Sequence, residues 1–463
     1  MTTNGNPQVN LRNIVLTMLC KVEDGAKSHI VLKETLDSYD YLDKQKRAFV
    51  TVLFKGTIER QIELDYIINQ FSKRKVSKMK QVIRNIIRLS VYQLKYMNNV
   101  PDSAACNEAV KLVNKRKMSG LKGFVNGVLR NISRSLDKIE YPKDKKEYLS
   151  VCYSIPMWII EMWSEQYGME RTEQILNSLY ETNEYTTIRV DSNKMSPKQV
   201  IAEFEKENIS VKQSELYGNA LYIKGYDSLE KLKLFEDGII TVQDESSMLV
   251  GLASGVKEND YVMDVCAAPG GKSIHISQLM NGTGTVQARD LTENKERLIK
   301  ENISRMKIKN IETKVWDGTK EDKETIGKAD VVIADVPCAV CGIIGNKSDI
   351  KHNVSKEQIF QLVEIQRKIL EQACKYVKIG GRLVYSTCTV NKYENNENVE
   401  WIEKNLPLRR TDFGELFPKK LDNGNGMIQI FPGDYNMDGF FISVFEKIKD
   451  YAVFLYVALG SFI

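Results

Sequence analysis

Histidine is scarce in this chain, with three residues among 463, and the chain has a single CxxC pair, Cys338 with Cys341. Zinc takes about four His, Cys or acidic ligands, so we expect no zinc site and no other metal. The eight cysteines are scattered along the chain. Their scatter excludes the disulfide framework of a small secreted protein and is typical of a reduced, cytoplasmic one.

Long apolar runs are absent too. A membrane-spanning helix needs about 20 apolar residues, whereas the apolar end of the chain, residues 451–463, has only 13. That end reads as a strand or helix packed on the last domain or as a disordered tail, with a membrane role as the remaining alternative. No secretory signal is visible. We expect a cytoplasmic monomer without membrane contact.

The net charge of +5 conceals an asymmetry. Residues 1–140 hold 25 Lys and Arg against 13 Asp and Glu, a net charge of +12, so the remainder carries −7. The cations cluster between Lys73 and Arg88, including Arg84, and again between Lys115 and Lys122. A basic module joined to an acidic one predicts a nucleic-acid partner for the first. The alternative is a solvated surface that is merely basic.

Residues 8–135 are predicted to be helical throughout. Apolar residues at three- and four-residue spacing predict helices over 11–22 and 83–94. Further helices are predicted at 103–117, after a proline, and at 124–136, after two glycines. Residues 1–140 are therefore predicted to form an all-helical bundle.

Several short motifs follow one another along this bundle. They are Leu11-Arg12, Lys46-Arg47-Ala48-Phe49, Gly56-Thr57-Ile58-Glu59-Arg60, Arg88 to Leu94, Asn107-Glu108-Ala109-Val110 and Phe124 to Arg130. In order and at similar spacing, they resemble the NusB antitermination-factor fold. Members of that family are RNA-binding helical bundles, which agrees with the charge found independently.

A different pattern occupies residues 141–235, which we predict to form a small α+β domain that shapes the substrate site. Its expected elements are strands at 186–190, 209–211 and 220–223 and a helix at 197–207. From residue 236 to 447, short apolar runs alternate with amphipathic helices, which predicts a parallel sheet with helices on both faces. The expected strands are 261–266, 284–288, 311–316, 331–335 and 382–386, with 439–445 as an antiparallel edge; helices are expected at 293–305 and 356–377. Residues 448–463 are the apolar tail of unknown role.

A glycine-rich loop follows the first strand of this sheet. Gly270 and Gly271 allow a sharp bend and close approach of a ligand, since no Cβ intervenes. Ligands of open α/β sheets lie at the carboxyl ends of strands, beside such a loop. The spacing matches neither a Walker loop nor Gly-x-Gly-x-x-Gly. The candidate cofactor-binding residues of the loop are Cys266, Ala267, Ala268, Pro269, Gly270, Gly271 and Lys272.

Three acids follow three successive strands. Asp290 is placed to accept hydrogen bonds from ribose hydroxyls, Asp317 to meet an adenine amino group, and Asp335 comes after the next strand. One such acid alone could be only a helix cap, but three in register favour a nucleoside site. Because no basic phosphate pocket accompanies them, S-adenosylmethionine is a better fit than a dinucleotide.

Two cysteines, Cys338 and Cys388, also follow strands of this sheet. C5 of cytosine becomes nucleophilic only after a thiolate adds to C6, which is covalent catalysis. Asp335, close to Cys338 in sequence, is placed to stabilise the adduct near N3 and the 4-amino group. For Cys20, Cys106, Cys152 and Cys374 we expect only the role of small buried hydrophobes.

Six motifs make residues 8–447 resemble the RsmB/Sun family of 16S rRNA (cytosine-C5) methyltransferases. They are Asp264 to Ser273, Asp335-Val336-Pro337-Cys338, Lys347 with Asp349, Ser386-Thr387-Cys388-Thr389, Glu394-Asn395 and Asp438-Gly439-Phe440-Phe441. The resemblance implies a Rossmann-like class I methyltransferase domain that binds S-adenosylmethionine and acts on 16S ribosomal RNA. It implies that Cys388 is the nucleophile, that Cys338 helps to release the product and that the cofactor is held by the loop, Asp290, Asp317 and Asp335.

The chain departs from that family after Cys338. The family usually has Ser-Gly-x-Gly there, and this chain has Ala339-Val340-Cys341-Gly342. Valine does not readily take the positive φ open to glycine, so we expect a different or strained loop, and Cys341 is a third thiol that could compete for the role of Cys338. Two alternative functions stay open: an RNA-binding protein with an inactive methyltransferase domain, and a methyltransferase for DNA or a small molecule.

Overall fold

The computed structural model describes residues 9–181, 185–345, 349–451 and 454. It divides into two compact units: Met1–Leu176 with Ile344–Asn353, and Asn177–Ile343 with Val354–Ile463. Most of the apolar tail lies outside the described residues, and so does the prediction made for it.

The first unit is a helical bundle, as the amphipathic spacing predicts. The apolar faces of its first seven helices form one core, in which Leu53, Ile87 and Leu129 are fully buried. Asn10 caps the first helix by accepting a hydrogen bond from the Asn13 N–H, which satisfies one of the free donors of the first turn. The helices are α1 (Leu11–Glu23), α2 (Ser28–Ser38), α3 (Lys44–Glu59), α4 (Gln61–Phe71), α5 (Gln81–Tyr96), α6 (Asp102–Lys115), α7 (Lys122–Ser133), α8 (Lys145–Cys152), α9 (Met157–Tyr167) and α10 (Met169–Ser178).

Two cations of the first predicted basic cluster are neutralised inside the bundle. Arg84 pairs with Glu23, and buried Arg88 makes two hydrogen bonds to Asp65 at 2.7 and 2.6 Å. A bidentate arginine–carboxylate pair is a structural contact. The exposed cations that remain are Lys73, Arg74, Lys75, Lys78 and Lys80, and we call them the basic ridge.

A short helix from the second half of the chain, α16 (Ile350–Asn353), packs within the first unit. Lys351 Nζ donates to the Glu59 carbonyl at 2.7 Å, and the Ser28 N–H donates to Asp349 at 3.0 Å. Burial lowers the pKa of Lys351 to about 7. The chain therefore returns to the helical unit soon after the loop that carries Cys338.

The second unit begins with a small antiparallel sheet of order β2-β3-β1-β4. Its helix α11 starts at a capping box formed by Ser196 and Gln199, with Pro197 in the first turn, as helix starts favour. The fourth strand lies beyond residue 235 and is missing from the sequence-based expectation, because three residues are too few to show an alternating pattern. The elements are β1 (Thr186–Val190), α11 (Pro197–Lys206), β2 (Ser210–Gln213), β3 (Ala220–Lys224), α12 (Lys233–Glu236) and β4 (Ile240–Val242).

The larger sheet confirms the predicted doubly wound α/β fold. Its order is β10-β12-β9-β8-β5-β6-β7, with β11 paired to β12; β9, β8, β5, β6 and β7 are parallel and β12 is antiparallel to β9. The elements are α13 (Glu245–Ser254), β5 (Tyr261–Asp264), α14 (Gly271–Leu279), β6 (Thr285–Asp290), α15 (Glu293–Arg305), β7 (Ile311–Val315), β8 (Ala329–Asp335), α17 (Lys356–Tyr376), β9 (Val377–Thr387), α18 (Asn396–Asn405), β10 (Leu408–Arg410), β11 (Met427–Ile430) and β12 (Phe440–Lys447).

Alternate side chains of the central strands enter two different cores. Val331 and Ile333 of β8 pack with residues of α13 and α14, whereas Val332 and Ala334 pack with residues of α17 and α18. The sheet is therefore covered on both faces, which explains why its strands are nearly continuous apolar runs. The loops at the carboxyl ends of the parallel strands lie together at one edge.

Candidate active site

The predicted site residues follow the parallel strands at this edge. Asp264, Asp290 and Asp335 end β5, β6 and β8, Asp317 comes two residues after β7, and Cys388 comes one residue after β9. Because these strands are parallel and adjacent, the residues lie together at the edge formed by the carboxyl ends of the strands. The acids and cysteines thus follow the ends of the strands, as the sequence predicts.

The cofactor loop is held to β5 by a buried carboxylate. Asp264, which is 1% exposed, accepts a hydrogen bond from the Ser273 hydroxyl at 2.6 Å. Burial raises the pKa of Asp264 to about 7. Gly270 starts α14 with φ at +100°, and an added Cβ there would lie 3.3 Å from Ile299, so this position requires glycine for its conformation. The candidate loop residues run from Cys266 to Lys272, with a cis peptide between Ala268 and Pro269.

Asp290 connects the second strand to this loop. Its Oδ2 accepts from the Ala268 N–H at 2.9 Å, and its Oδ1 accepts from Lys295 Nζ at 2.8 Å. Asp317 is more exposed, and its Oδ1 accepts from the N–H and hydroxyl of Thr319 at 3.0 and 2.7 Å. The hydrogen bond from the Thr319 hydroxyl lowers the pKa of Asp317. Both carboxylates are therefore oriented by hydrogen bonds at the site.

Asp335 is held between a lysine and a hydroxyl. Lys272 Nζ lies 2.7 Å from its Oδ2, and the Ser386 hydroxyl donates to its Oδ1 at 2.8 Å. Burial acts to lower the pKa of Lys272, but the charge of Asp335 and the hydrogen bond to it outweigh burial and raise that pKa. Lys272 Nζ also lies 5.3 Å from the centre of the Phe440 ring. The pair thus joins the cofactor loop to the end of β8.

The two candidate catalytic cysteines meet. Cys338 Sγ and Cys388 Sγ are 3.3 Å apart, although the residues belong to the loops after β8 and β9. The hydrogen bond between the thiols and burial raise the pKa of Cys338 well above its ordinary value. The loops are also joined by the backbone, since the Gly342 N–H donates to the Cys388 carbonyl at 3.1 Å.

The third thiol of this region, Cys341, has a different environment. It is fully buried, its Sγ donates to the Ala339 carbonyl at 3.6 Å, and burial raises its pKa. It therefore packs inside the loop as a thiol, whereas Cys338 faces Cys388.

Val340 bears out the expected strain in this loop, with φ at +59°. A β-branched residue in the left-handed region is strained by about 1–2 kcal/mol.

Replacing Val340 by glycine is expected to stabilise the protein by about 1 kcal/mol. The relieved strain is partly offset by roughly 0.5 kcal/mol, because glycine has greater conformational entropy in the unfolded chain. Urea unfolding measures the change. Val211, half-buried in β2 and without a positive φ, is the matched control: Val211→Gly should destabilise, and equal destabilisation by Val340→Gly would contradict strain.

The residues at this edge fit S-adenosylmethionine better than a phosphate-bearing cofactor. Lys272 and Lys295 are each paired with an aspartate, so the site offers carboxylate oxygens and backbone groups of a glycine loop. Carboxylates suit ribose hydroxyls, amino groups and a sulfonium charge, whereas phosphates need free donors or cations. Within the described residues, no group of three or more His, Cys, Asp or Glu is arranged to hold a metal ion.

Sequence reasoning missed several polar partners of these residues. The sequence predicts no role for Asp264, Ser386 or Lys295, because each acts through a hydrogen bond that forms only on folding. Glu394 likewise has no predicted role, although it is fully buried and accepts a hydrogen bond from the Ala339 N–H, next to Cys338. A buried carboxylate in a polar run could have been singled out, since acids are rarely buried without partners.

Comparison with known proteins assigns all three parts of the chain. Family models match residues 9–134 (NusB family), 155–229 (RsmF/B-like methyltransferase, ferredoxin-like domain) and 252–446 (16S rRNA methyltransferase RsmB/F). Among the described residues, no helix is both long and apolar enough to cross a membrane.

Solved structures share the fold. The crystal structure of PH0851 has a TM-score of 0.81 and 26% identity and covers 95% of this chain and 99% of its own. NSun6 from Pyrococcus horikoshii, solved with SFG, has a TM-score of 0.57 and 24% identity over 67% of this chain and 99% of its own, which supports the fold alone.

Curated relatives extend the match over nearly the whole length. The probable ribosomal RNA small subunit methyltransferase B of Bacillus subtilis is 35% identical over 451 residues, covering 95% of this chain and 99% of the relative. That of Synechocystis is 31% identical over 414 residues, covering 88% and 92%. With the strand-end acids, the glycine loop and the paired cysteines in place, the chain belongs to the 16S rRNA methyltransferase RsmB/F family.

Proposed function

We propose that this protein transfers a methyl group from S-adenosylmethionine to C5 of a specific cytosine in 16S rRNA, through a covalent bond between Cys388 and C6 of that base. The observation that carries the proposal is the pair of thiols 3.3 Å apart, supplied by two strand-end loops. A methyltransferase that acts on an oxygen or an exocyclic nitrogen needs no such pair. Two cysteines suit a reaction in which one thiol adds to the base and must later leave it.

Cys388 and Cys338 have different roles in the proposed reaction. The Cys388 thiolate forms the S–C6 bond, and the electron pair of the C5=C6 bond then serves as the nucleophile at C5. When bound, S-adenosylmethionine supplies the methyl group as an electrophile. The C5 proton then passes to water, its electron pair re-forms the C5=C6 bond, and the S–C6 electron pair leaves with Cys388 as a thiolate. We assign to Cys338 the task of assisting this release.

Asp335 is assigned to the base as well as to the cofactor. Held by Lys272 and Ser386, it would lie near N3 and the 4-amino group and stabilise the adduct by charge or by a hydrogen bond. The ribose hydroxyls are assigned to Asp290 and the adenine amino group to Asp317. The loop from Cys266 to Lys272 would enclose the cofactor.

The RNA partner is assigned to the parts of the chain before the methyltransferase domain. We propose that residues 1–140 and 141–235 dock folded 16S rRNA, while residues 236–447 capture one cytosine splayed from its stack. The exposed basic ridge, which lies in the segment between α4 and α5, supports this division. Because ribosomal RNA is the substrate, we propose that the protein works in the cytoplasm, as a monomer.

Neutralising four of the five cations of the basic ridge is expected to weaken RNA binding. Changing Lys73, Arg74, Lys75 and Lys78 to glutamine removes four phosphate contacts, and each contact contributes about 0.7–0.9 to the slope of log affinity against log salt concentration. Filter binding of 16S rRNA fragments at several salt concentrations measures both affinity and slope. The matched control changes four exposed lysines of the second unit, Lys307, Lys309, Lys323 and Lys328. Equal loss in both variants would show a non-specific charge effect and contradict docking by the ridge.

The test of the proposed activity uses 16S rRNA from cells that lack the gene. Incubation with the purified protein and S-adenosylmethionine should produce 5-methylcytidine at one position, detected by nucleoside mass spectrometry and bisulfite sequencing. RNA binding without any methylated nucleoside would favour the inactive RNA-binding alternative. Methylation of DNA in preference to the RNA would favour the alternative of a DNA methyltransferase.

A further inference from the structure

Two buried side chains hold the peptide groups on either side of Cys338. Glu394 Oε1 accepts a hydrogen bond from the Ala339 N–H at 2.9 Å, and Gln366 Nε2 donates to the Pro337 carbonyl at 2.9 Å. The same Gln366 nitrogen donates to Glu394 Oε1 at 2.8 Å. Glu394 and Gln366 therefore form a single clamp around the backbone of Cys338.

The clamp is tied to the strand that ends beside Cys388. Glu394 lies in the loop that follows Cys388, and its carbonyl accepts a hydrogen bond from the hydroxyl of Tyr385 in β9. Asn398 Nδ2 donates to Gln366 Oε1 at 2.8 Å and to the Glu394 carbonyl at 3.2 Å. One network therefore spans the loops of both cysteines, and the position of Cys338 relative to Cys388 depends on it.

The charge of the clamp is matched to its surroundings. Glu394 and Gln366 are both fully buried, and the groups around the carboxylate are donors from Ala339, Gln366 and Asn391. Burial raises the pKa of Glu394, while these hydrogen bonds oppose that rise. The N–H groups of Ala339, Gln366 and Asn391 can only donate, so these three hydrogen bonds favour the anion.

The anion has an effect on the neighbouring thiol. Besides the hydrogen bond to Cys388 and burial, the charge of Glu394 contributes to raising the pKa of Cys338. Cys338 is thereby kept as a thiol next to Cys388. The clamp is thus in contact with the backbone of the second cysteine and its charge favours the protonated thiol.

We propose that Glu394, acting through this clamp with Gln366, is a positioning residue for the release step. It holds the Cys338 thiol 3.3 Å from the Cys388 sulfur, so that after methyl transfer the C5 proton passes to water, the C5=C6 bond re-forms and the S–C6 bond breaks with its electron pair on Cys388. This inference rests on the proposed function. Glu394 acts on the reaction through Cys338 and touches neither base nor cofactor.

The test separates the first turnover from the following ones. Unmodified protein, Glu394→Gln, Glu397→Gln and Cys338→Ala are each given 16S rRNA and radiolabelled S-adenosylmethionine. Glu397 is exposed in the first turn of α18 and provides the same chemical change outside the clamp. The first-turnover rate, the steady-state rate and the fraction of RNA in an SDS-stable complex are measured.

Glu394→Gln places an amide N–H against the donor of Asn391 and loosens the clamp. Its first turnover should stay within about threefold of the unmodified protein, while its steady-state rate falls about 10- to 100-fold because Cys338 is displaced. Covalent complex should accumulate as it does with Cys338→Ala, and Glu397→Gln should behave like the unmodified protein. An equal fall of both rates without complex, or behaviour like Glu397→Gln, would overturn the inference.

Gln366→Met supplies the same test if Glu394→Gln does not fold, as judged by its melting temperature. It removes the contact with Pro337 and retains the carboxylate, and accumulation of complex supports the clamp whereas normal release overturns it. The proposed function fails in a different way: the unmodified protein would then methylate nothing, and Cys338→Ala would form no complex.

Discussion

Replacing Cys388 by alanine is expected to abolish methyl transfer to 16S rRNA. Without its sulfur no S–C6 bond forms, so C5 keeps the low nucleophilicity of an aromatic carbon. Loss of a covalent nucleophile costs roughly 10⁴-fold or more in rate. A methyl-transfer assay with labelled S-adenosylmethionine measures the loss, and calorimetry with S-adenosylhomocysteine should show unchanged cofactor binding, since the loop and acids remain.

The matched control for this change is Cys374→Ala. Cys374 is fully buried among the residues packed on the other face of the sheet, and its substitution should lower stability by about 1–2 kcal/mol at most and leave the rate unchanged. If Cys374→Ala loses activity as completely as Cys388→Ala, or if Cys388→Ala retains more than about a tenth of the rate, the assignment of the nucleophile is wrong.

Replacing Cys338 by alanine is expected to leave methyl transfer intact and to block release of the RNA. The first methyl transfer should proceed, because Cys388 is intact, but release should fail and RNA should stay attached to the protein. Steady-state turnover should fall about 100-fold, the size that misplacement or loss of an assisting group produces. Gel electrophoresis in SDS with labelled RNA shows the retained complex directly.

Cys341→Ala distinguishes Cys338 from its neighbour. Because the Cys341 thiol is buried and donates to the Ala339 carbonyl, its removal should leave release intact and produce no covalent complex. If instead Cys341→Ala accumulates the complex and Cys338→Ala turns over normally, the two thiols have been assigned to the wrong steps.

The fold was accessible from sequence where local patterns are long. The helix predicted at 293–305 and the strand predicted at 186–190 have the bounds of α15 and β1, because periodicity extends over the full element. β9 begins at Val377, before the predicted start at 382, since Gly380 and Gly381 interrupt the apolar alternation. The short strands β4, β10 and β11 leave no local signal, because only pairing with distant strands defines them.

The sequence was enough to predict which residues lie at the candidate site. Acids and cysteines that follow successive parallel strands must lie at one edge, so their proximity follows from topology alone. The 3.3 Å between the sulfurs depends on how two loops fold, and no spacing rule predicts it. The positive φ of Val340 was foreseen as a conflict between residue type and loop geometry, and the structure shows it.

The buried hydrogen-bond partners at the site could not be predicted from the sequence, because they come from helices distant in the chain. Gln366 belongs to α17 and Asn398 to α18, and neither adjoins a cysteine in the chain. Their hydrogen bonds to Glu394 and to the Pro337 carbonyl arise only when both helices pack on the same face of the sheet. A buried polar network of this kind is specified by tertiary structure.

The measurement that tests the central claim most directly uses 16S rRNA with 5-fluorocytosine at the target. Fluorine at C5 cannot leave as a proton does, so the reaction should stop after methyl transfer with the base bound to the protein. We expect an SDS-stable complex that requires S-adenosylmethionine, and mass spectrometry of the digested complex should place the nucleotide on Cys388. The complex should also form with Cys338→Ala and be absent with Cys388→Ala; a nucleotide attached to Cys338, or a complex formed by Cys388→Ala, would contradict the account.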